Sequence, residues 1–395
     1  MMGALTGIKV LDLTRVLAGP YSTMILGDLG AEVIKVEAPG GSDDTRYWGP
    51  PFKGTESAYY LCANRNKRAI TLNLKTEEGR AVLKKLIERS DVVIENFKSG
   101  TMERWGLGYD ELKTLNPKVI HCSITGFGQN GPYQNLPGYD FIIQAMSGLM
   151  SITGSEQSGP MKVGVAISDI ITGLYANIGI LAALQERAQS GEGQSIDISL
   201  FDSQISTLAN VASNYLISGH IPGLLGNQHP NIVPYQPFPT MDGEMVIAVG
   251  NDSQFKRLCS LLGLEHFADD EKFATNAKRL ENREQLVEQI AAQMETKNSQ
   301  QWLKLLNENG IPAGPIQNME QVFNDPQVKE RNMVIEMEHP TIGSIPLVGS
   351  PLKLSRTPVE IRSHPPIAGE HTEDVLLELG YSIEMIENFK QNQMI

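Results

Sequence analysis

The chain has 395 residues, enough for a large buried core and for two or three domains. Its 33 Lys and Arg against 46 Asp and Glu leave a net charge of -13, which argues against a nucleic-acid binder because phosphate would be repelled. Cys62, Cys122 and Cys259 stand far apart without CxxC spacing, which argues against a disulfide framework or structural zinc and fits a reducing, cytoplasmic compartment. The N-terminal MMGALTGIKVLDL lacks a basic segment ahead of an apolar one, and no run approaches the roughly 18 apolar residues of a membrane span.

In chain order, Ile8 to Leu13 reads as a buried strand, Pro20 to Leu29 as a helix and Ala31 to Glu37 as a second strand. A second round follows, with a strand at Thr71 to Leu74, a helix at Thr76 to Arg89, and strands at Asp91 to Phe97 and Lys118 to Phe127. Alternating strands and helices imply an α/β fold with a mostly parallel sheet covered on both faces, whose ligands bind beyond the strand carboxyl ends. A long helix is expected from Asp169 to Arg187, its small residues Gly173, Ala176, Gly179, Ala182 and Ala183 allowing close packing, and Gly191 and Gly193 suit its stop. After a strand at Ser195 to Leu200, Gly219 to Pro239 is rich in Pro and Gly and reads as a connector. A smaller α+β domain is expected beyond it, with helices at Ser253 to Leu262 and around Asn282 to Glu295. Two short helices, Glu370 to Leu379 and Ile383 to Phe389, close the chain.

The segment GFGQNG at Gly126 to Gly131 matches GxGxxG, but Pro132 and QNLPG follow, so the glycines open a loop rather than the helix a dinucleotide site requires. Glu37 only imitates a ribose-binding acid. The seven histidines show no HxxxH or HExxH spacing, and no metal ligand set is expected. His229, in GNQHPN, reads as a loop histidine bonded to backbone. No GxSxG elbow supports a serine hydrolase. The NRNKR run at Asn64 to Arg68, with Lys75, Lys98 and Arg104, offers either a basic cluster for an anionic ligand or an ordinary solvated face. Asp169, between KVGVAI and a small-residue helix, reads as a helix first-turn residue kept ionised by the dipole. An ionised carboxylate in an apolar corner is also what covalent catalysis by Asp requires.

These segments resemble the class III coenzyme A transferases of the CaiB/BaiF type, the group with formyl-CoA transferase, carnitine CoA-transferase and the alpha-methylacyl-CoA racemases. The resemblance runs through GIKVLDLTRVLAGP, LGDLGAEVIKVE, NRNKRAITLNLKT, VIENFKSGTMERWGLGYDEL, SITGFGQNGP, GYDFIIQAMSGLM, the Asp169 segment and IPAGPIQNMEQVFNDPQV. It implies a Rossmann-like large domain, a smaller α+β domain and an interlocked homodimer. The domains are then 1–215 as the first part of a large CoA-binding domain, 216–330 as connector and small domain, and 331–395 as a return to the large one.

The resemblance makes Asp169 the catalytic nucleophile, which attacks an acyl-CoA carbonyl and passes through a mixed anhydride and an aspartyl-CoA thioester. It maps CoA binding onto Val16, Leu17, Leu72, Lys75, Asn96, Phe97, Arg104, Tyr139 and Asp140, with CoA as substrate and no tightly bound cofactor. RVLAGP, DDTRYWGPPFKGTESAYYL, NRNK and NIVPYQPF look most like the succinyl-CoA:glutarate branch, so a dicarboxylate acceptor is expected. Arg65 is the expected partner of its second carboxylate and Arg279 a further candidate, each weighed against a structural ion pair. Ala38 stands where formyl-CoA transferase has an arginine contact. No GGGG run is present to cover the nucleophile, and GLLGNQHPN is the expected substitute. The alternatives are a racemase, whose GHD histidine is Tyr139 here, and a formyl-CoA:oxalate transferase. A dehydrogenase built on GFGQNG and an acyl-CoA sensor without turnover are further readings.

Overall fold

The computed structural model describes residues 3–395. Strands β1 (Lys9–Asp12), β2 (Glu32–Glu37), β3 (Arg68–Thr71), β4 (Val92–Glu95), β5 (Ile120–Thr125) and β6 (Ser195–Ser199) form one sheet in the order β6-β5-β4-β1-β2-β3. All of its pairings are parallel. This is the doubly wound order, and its direction reverses between β1 and β4, where such sheets open a ligand crevice.

The central strands β1 and β4 carry apolar residues on both faces because both are covered. Along β1, Val10 belongs to the core packed by α1 (Ala18–Asp28) and the long helix at Ile167–Ser190, whereas Leu11 belongs to the core packed by α2 (Glu77–Glu88). The period-2 alternation therefore sorts neighbours onto opposite faces. Shorter helices α3 (Thr101–Arg104), α4 (Tyr109–Leu115) and α5 (Asp140–Met146) follow before α6 (Ile167–Ser190), and α7 (Leu200–Ser206) comes directly after β6. α6 ends at Gly191, at φ 79, as the C-terminal glycine rule requires.

β3 lies at Arg68–Thr71, upstream of the predicted Thr71 to Leu74. The residues ITLNL alternate equally well in either frame, and Asn73 N–H is drawn off to the Met394 carbonyl. A second difference concerns α6. Its 24 residues make it, by length and composition alone, the one described helix able to cross a membrane; Asp169 and Asn177 interrupt its apolar sequence without breaking the helix, so no continuous apolar run marks it. Its Gly173 face packs on α1: a Cβ there would lie 2.6 Å from the Ala18 carbonyl. Leu174, Tyr175, Ile178 and Leu181 are exposed.

By internal contacts the chain forms two compact units: residues up to Leu149 with Val163–Leu208 and Gln327–Ile395, and Met150–Lys162 with Ala209–Pro326. The second unit holds an antiparallel sheet of β7 (Tyr235–Thr240), β8 (Gly243–Ala248) and β9 (Ala313–Pro315). Helices α8 (Asp252–Leu262), α9 (Arg283–Met294) and α10 (Ser299–Glu308) bury Phe255, Leu258, Ile290 and Trp302 against Phe238 and Ile247. The first unit finishes with hairpin β10 (Val334–His339) and β11 (Gly343–Val348) and helices α11 (Thr372–Glu378) and α12 (Ile383–Gln391).

Candidate active site

A cavity of about 330 Å³ opens at the carboxyl ends of β1, β4 and β5, with Arg15 and Val16 after β1, Asn96 to Ser99 after β4, and Thr125 and Gly126 at the end of β5. Asp169, in the first turn of α6, lines it. The switch point of the sheet and the candidate nucleophile thus share one space.

Asp169 is partly buried and its pKa is pushed up to about 7, first by burial and then by the neighbouring charge of Asp140. The backbone N–H of Ala18 donates to its carboxylate and pulls the other way. The helix start was expected to keep this residue ionised, but desolvation and a like charge outweigh that stabilisation. Asp140 is fixed by accepting the Ser168 N–H at 2.8 Å and the Gln144 amide at 2.7 Å. The Tyr59 phenol is raised to about 12, mainly by burial and next by Asp169.

Val16, Asn96, Phe97, Arg104 and Tyr139 line the cavity with Asp169. Leu17, Leu72, Lys75 and Asp140 are not among its lining residues. Leu72 is buried in the core beneath Phe97, and Leu17 is buried at the start of α1. Lys75 is exposed in the loop before α2. GFGQNG is a loop, as the Pro132 that follows it implies, and Gly126 lies so close to Gly138 that a Cβ would stand 2.6 Å from the Gly138 Cα.

Both arginines proposed for a substrate carboxylate are spent on the fold. Arg65 is buried and grips Asp28 through Nε at 3.0 Å and Nη2 at 2.6 Å, while Nη1 donates to the Val348 carbonyl at 2.8 Å. Arg279 lies wholly inside the second unit, bonded to the Val233 and Phe273 carbonyls and to Asp252. The rest of NRNK is equally internal: Lys67 donates to Asp12, Asn64 and the Pro20 carbonyl, and Asn66 donates to Asp28. This run is a buried brace, not an anion-capturing face. Glu37 likewise holds Arg46, at 3.0 and 2.6 Å.

The cations that do line the cavity are Arg15, Lys98 and Arg104. Arg15 went unmarked in the sequence because a lone arginine after a strand has no distinguishing pattern. Its exposed pair with Asp44, at 3.1 Å, is of a kind worth about 0–1 kcal/mol and is readily exchanged.

The description CoA-transferase family III matches residues 5–372. A succinate–glutarate CoA-transferase of Agrobacterium fabrum is 49% identical over 381 residues, covering 95% of each chain. The human succinyl-CoA:glutarate CoA-transferase is 46% identical over 375 residues, covering 95% of this chain and 86% of its own. A crystal structure of a CaiB/BaiF family protein from Brucella suis superposes with a TM-score of 0.84 at 46% identity, covering 96% of this chain and 100% of that one. The chain belongs to CoA-transferase family III, and it is a CoA-transferase.

Proposed function

We propose that this enzyme moves CoA from succinyl-CoA to glutarate or a similar dicarboxylate, with Asp169 as the covalent carrier. The observation that carries the proposal is the position of the Asp169 carboxylate, inside the switch-point cavity and held by the Ala18 N–H. The names of the most similar relatives support the choice of acids.

Ionised Asp169 attacks the donor thioester carbonyl, forming a mixed anhydride and releasing CoA thiolate. The thiolate attacks the aspartyl carbonyl and expels the donor acid, leaving an aspartyl-CoA thioester. The acceptor carboxylate displaces thiolate from that thioester, giving a second anhydride. Thiolate then attacks the acceptor acyl carbonyl, which yields the new acyl-CoA and restores the Asp169 carboxylate. Each step exchanges one nucleophile for another of similar energy, so no ATP is needed, but water must be kept out.

CoA lies against Val16, Asn96, Phe97 and Tyr139, with Arg104 and Lys98 available to its phosphates. Arg15 replaces Arg65 as the partner of the acceptor's distal carboxylate, because it lines the cavity and its surface pair is weak. A racemase would need a second acid/base group opposite Asp169, but no histidine lines this cavity among the described residues and Tyr139 is an exposed phenol. The exposed apolar residues of α6, together with Phe141, Ile142 and Met146 of α5, support a homodimer in which a second copy covers them.

The test is to mix the enzyme with succinyl-CoA without acceptor, quench, and digest for mass spectrometry. A CoA adduct on Asp169 that glutarate discharges as glutaryl-CoA is expected. An unmodified Asp169 during active exchange would refute the assignment.

A further inference from the structure

The backbone from Thr14 to Val16 is held by side chains from other parts of the sheet unit. The Thr14 N–H donates to Asp12 at 2.9 Å, and its carbonyl accepts Lys35 Nζ at 2.8 Å. Arg15 exchanges both of its backbone groups with the Asn96 amide, at 3.0 and 2.7 Å. The Val16 N–H donates to Asp43 Oδ1 at 3.1 Å. Every backbone polar group from the Thr14 N–H to the Val16 N–H is therefore occupied.

Val16 explains why such a brace is needed. Its φ is 73°, a left-handed conformation that a β-branched residue avoids at a cost of about 1–3 kcal/mol. A strained residue stays put only where its surroundings over-determine it. Two residues further on, Ala18 opens α1 and points its N–H at Asp169. The strain is spent on that aim.

Lys35 and Asp43 form an ion pair at 2.9 Å with both side chains fully buried. Such a pair seldom adds stability over apolar residues of the same size. What apolar residues lack is the Nζ donor for the Thr14 carbonyl and the Oδ1 acceptor for the Val16 N–H. We propose that Lys35 and Asp43 are positioning residues for the reaction: their buried pair holds the left-handed Val16 turn that delivers the Ala18 N–H to Asp169. This rests on Asp169 being the nucleophile. The carboxylate oxygen held by Ala18 becomes the aspartyl carbonyl oxygen of the anhydride and thioester, where negative charge develops whenever thiolate or acceptor carboxylate attacks.

The test uses the full chain carrying Lys35→Met and Asp43→Leu together, which removes both buried charges at once. The melting temperature should fall, because the Thr14 carbonyl and the Val16 and Thr45 N–H groups lose their partners, while CoA affinity of the folded enzyme stays near the parent's and the single-turnover rate of CoA adduct formation on Asp169 falls about a hundredfold, the size of losing one preorganised donor. Adding Val16→Gly, for which the left-handed turn carries no strain, should recover about tenfold of that loss. Adduct formation at the parent rate in the double variant would overturn the proposal. Should the double variant not fold, Asp43→Ala, which removes the acceptor of the Val16 N–H, reads the same dependence with and without Val16→Gly: recovery by the glycine supports the brace, and no recovery overturns it. A parent enzyme that forms no adduct would overturn the nucleophile assignment itself, and this inference with it.

Discussion

The Asp140 carboxylate accepts the backbone N–H of Ser168 at 2.8 Å, which stations a negative charge beside Asp169, the next residue in the chain. Burial is the larger cause of the raised Asp169 pKa, and Asp140 adds to it. With the anion as the proposed nucleophile, kcat/KM should climb with pH through about 7 and level off above it. Asp140→Asn keeps an acceptor for Ser168 but removes the charge, so the rising limb should move to lower pH. Burial remains, so the limb should not reach the ordinary aspartate value. A pH–rate profile of both proteins decides this, and an unmoved limb would remove Asp140 from the account.

Asp169→Asn should abolish exchange and yet raise the melting temperature at pH 8. The folded-state pKa lies above the ordinary aspartate value of 3.8, so the folded protein binds the proton more tightly. Stability from this group is therefore full below 3.8 and lost as pH rises to about 7. An uncharged amide escapes that loss. Melting curves at pH 5 and pH 8 should show a gain at the higher pH only.

Arg65→Ala should act on folding rather than on substrate choice. Removing the guanidinium leaves Asp28 buried with the Asn66 amide as its remaining side-chain partner, a change of the kind that costs about 3–5 kcal/mol. Urea unfolding should show that loss, while the ratio of kcat/KM for dicarboxylates over monocarboxylates stays at the parent value. A selective loss on dicarboxylates would return Arg65 to the site.

The NRNK segment shows where reading the sequence stops. Charged residues in a run look solvated, and nothing local reveals that Arg65 meets Asp28 across 37 positions or that Lys67 meets Asp12 across 55. The strands were legible because alternation is local. In β5, Cys122 and Ile124 turn to the α6 side while His121 and Ser123 turn away, as an apolar and polar alternation dictates. Short α5 and α7 were missed, since seven residues hold too few turns for periodicity to show; α7 is signalled only by its Ser199 cap. Asp169 was singled out through the segments around it. Arg15 and the Lys35–Asp43 brace became visible only once the chain was folded.

Arg15→Ala should select between acceptors. Losing a charge-assisted hydrogen bond to a distal carboxylate should lower kcat/KM for glutarate by about tenfold to a hundredfold. A monocarboxylate acceptor should change little. Because Arg15 is exposed and its Asp44 pair is a surface one, the melting temperature should stay within a degree or two of the parent, in keeping with a pair worth about 0–1 kcal/mol. Equal losses on both acceptor classes would assign Arg15 to CoA instead.

Gly173→Ala tests whether the spacing of α1 and α6 matters to chemistry. The added Cβ would stand 2.6 Å from the Ala18 carbonyl, so the helices must part locally. Alanine is the better helix former by about 1 kcal/mol, which offsets only part of the strain of a Cβ against a backbone carbonyl, so stability should fall. The geometry of the proposed nucleophile is disturbed as well, because Asp169 lies one turn before Gly173 and its donor belongs to Ala18 itself. Adduct formation should therefore drop about tenfold or more, beyond what a lowered melting temperature explains, while CoA affinity of the folded enzyme changes little. A variant that melts and reacts like the parent would show that the Ala18 to Asp169 hydrogen bond tolerates helix separation, and that its contribution to the reaction is small.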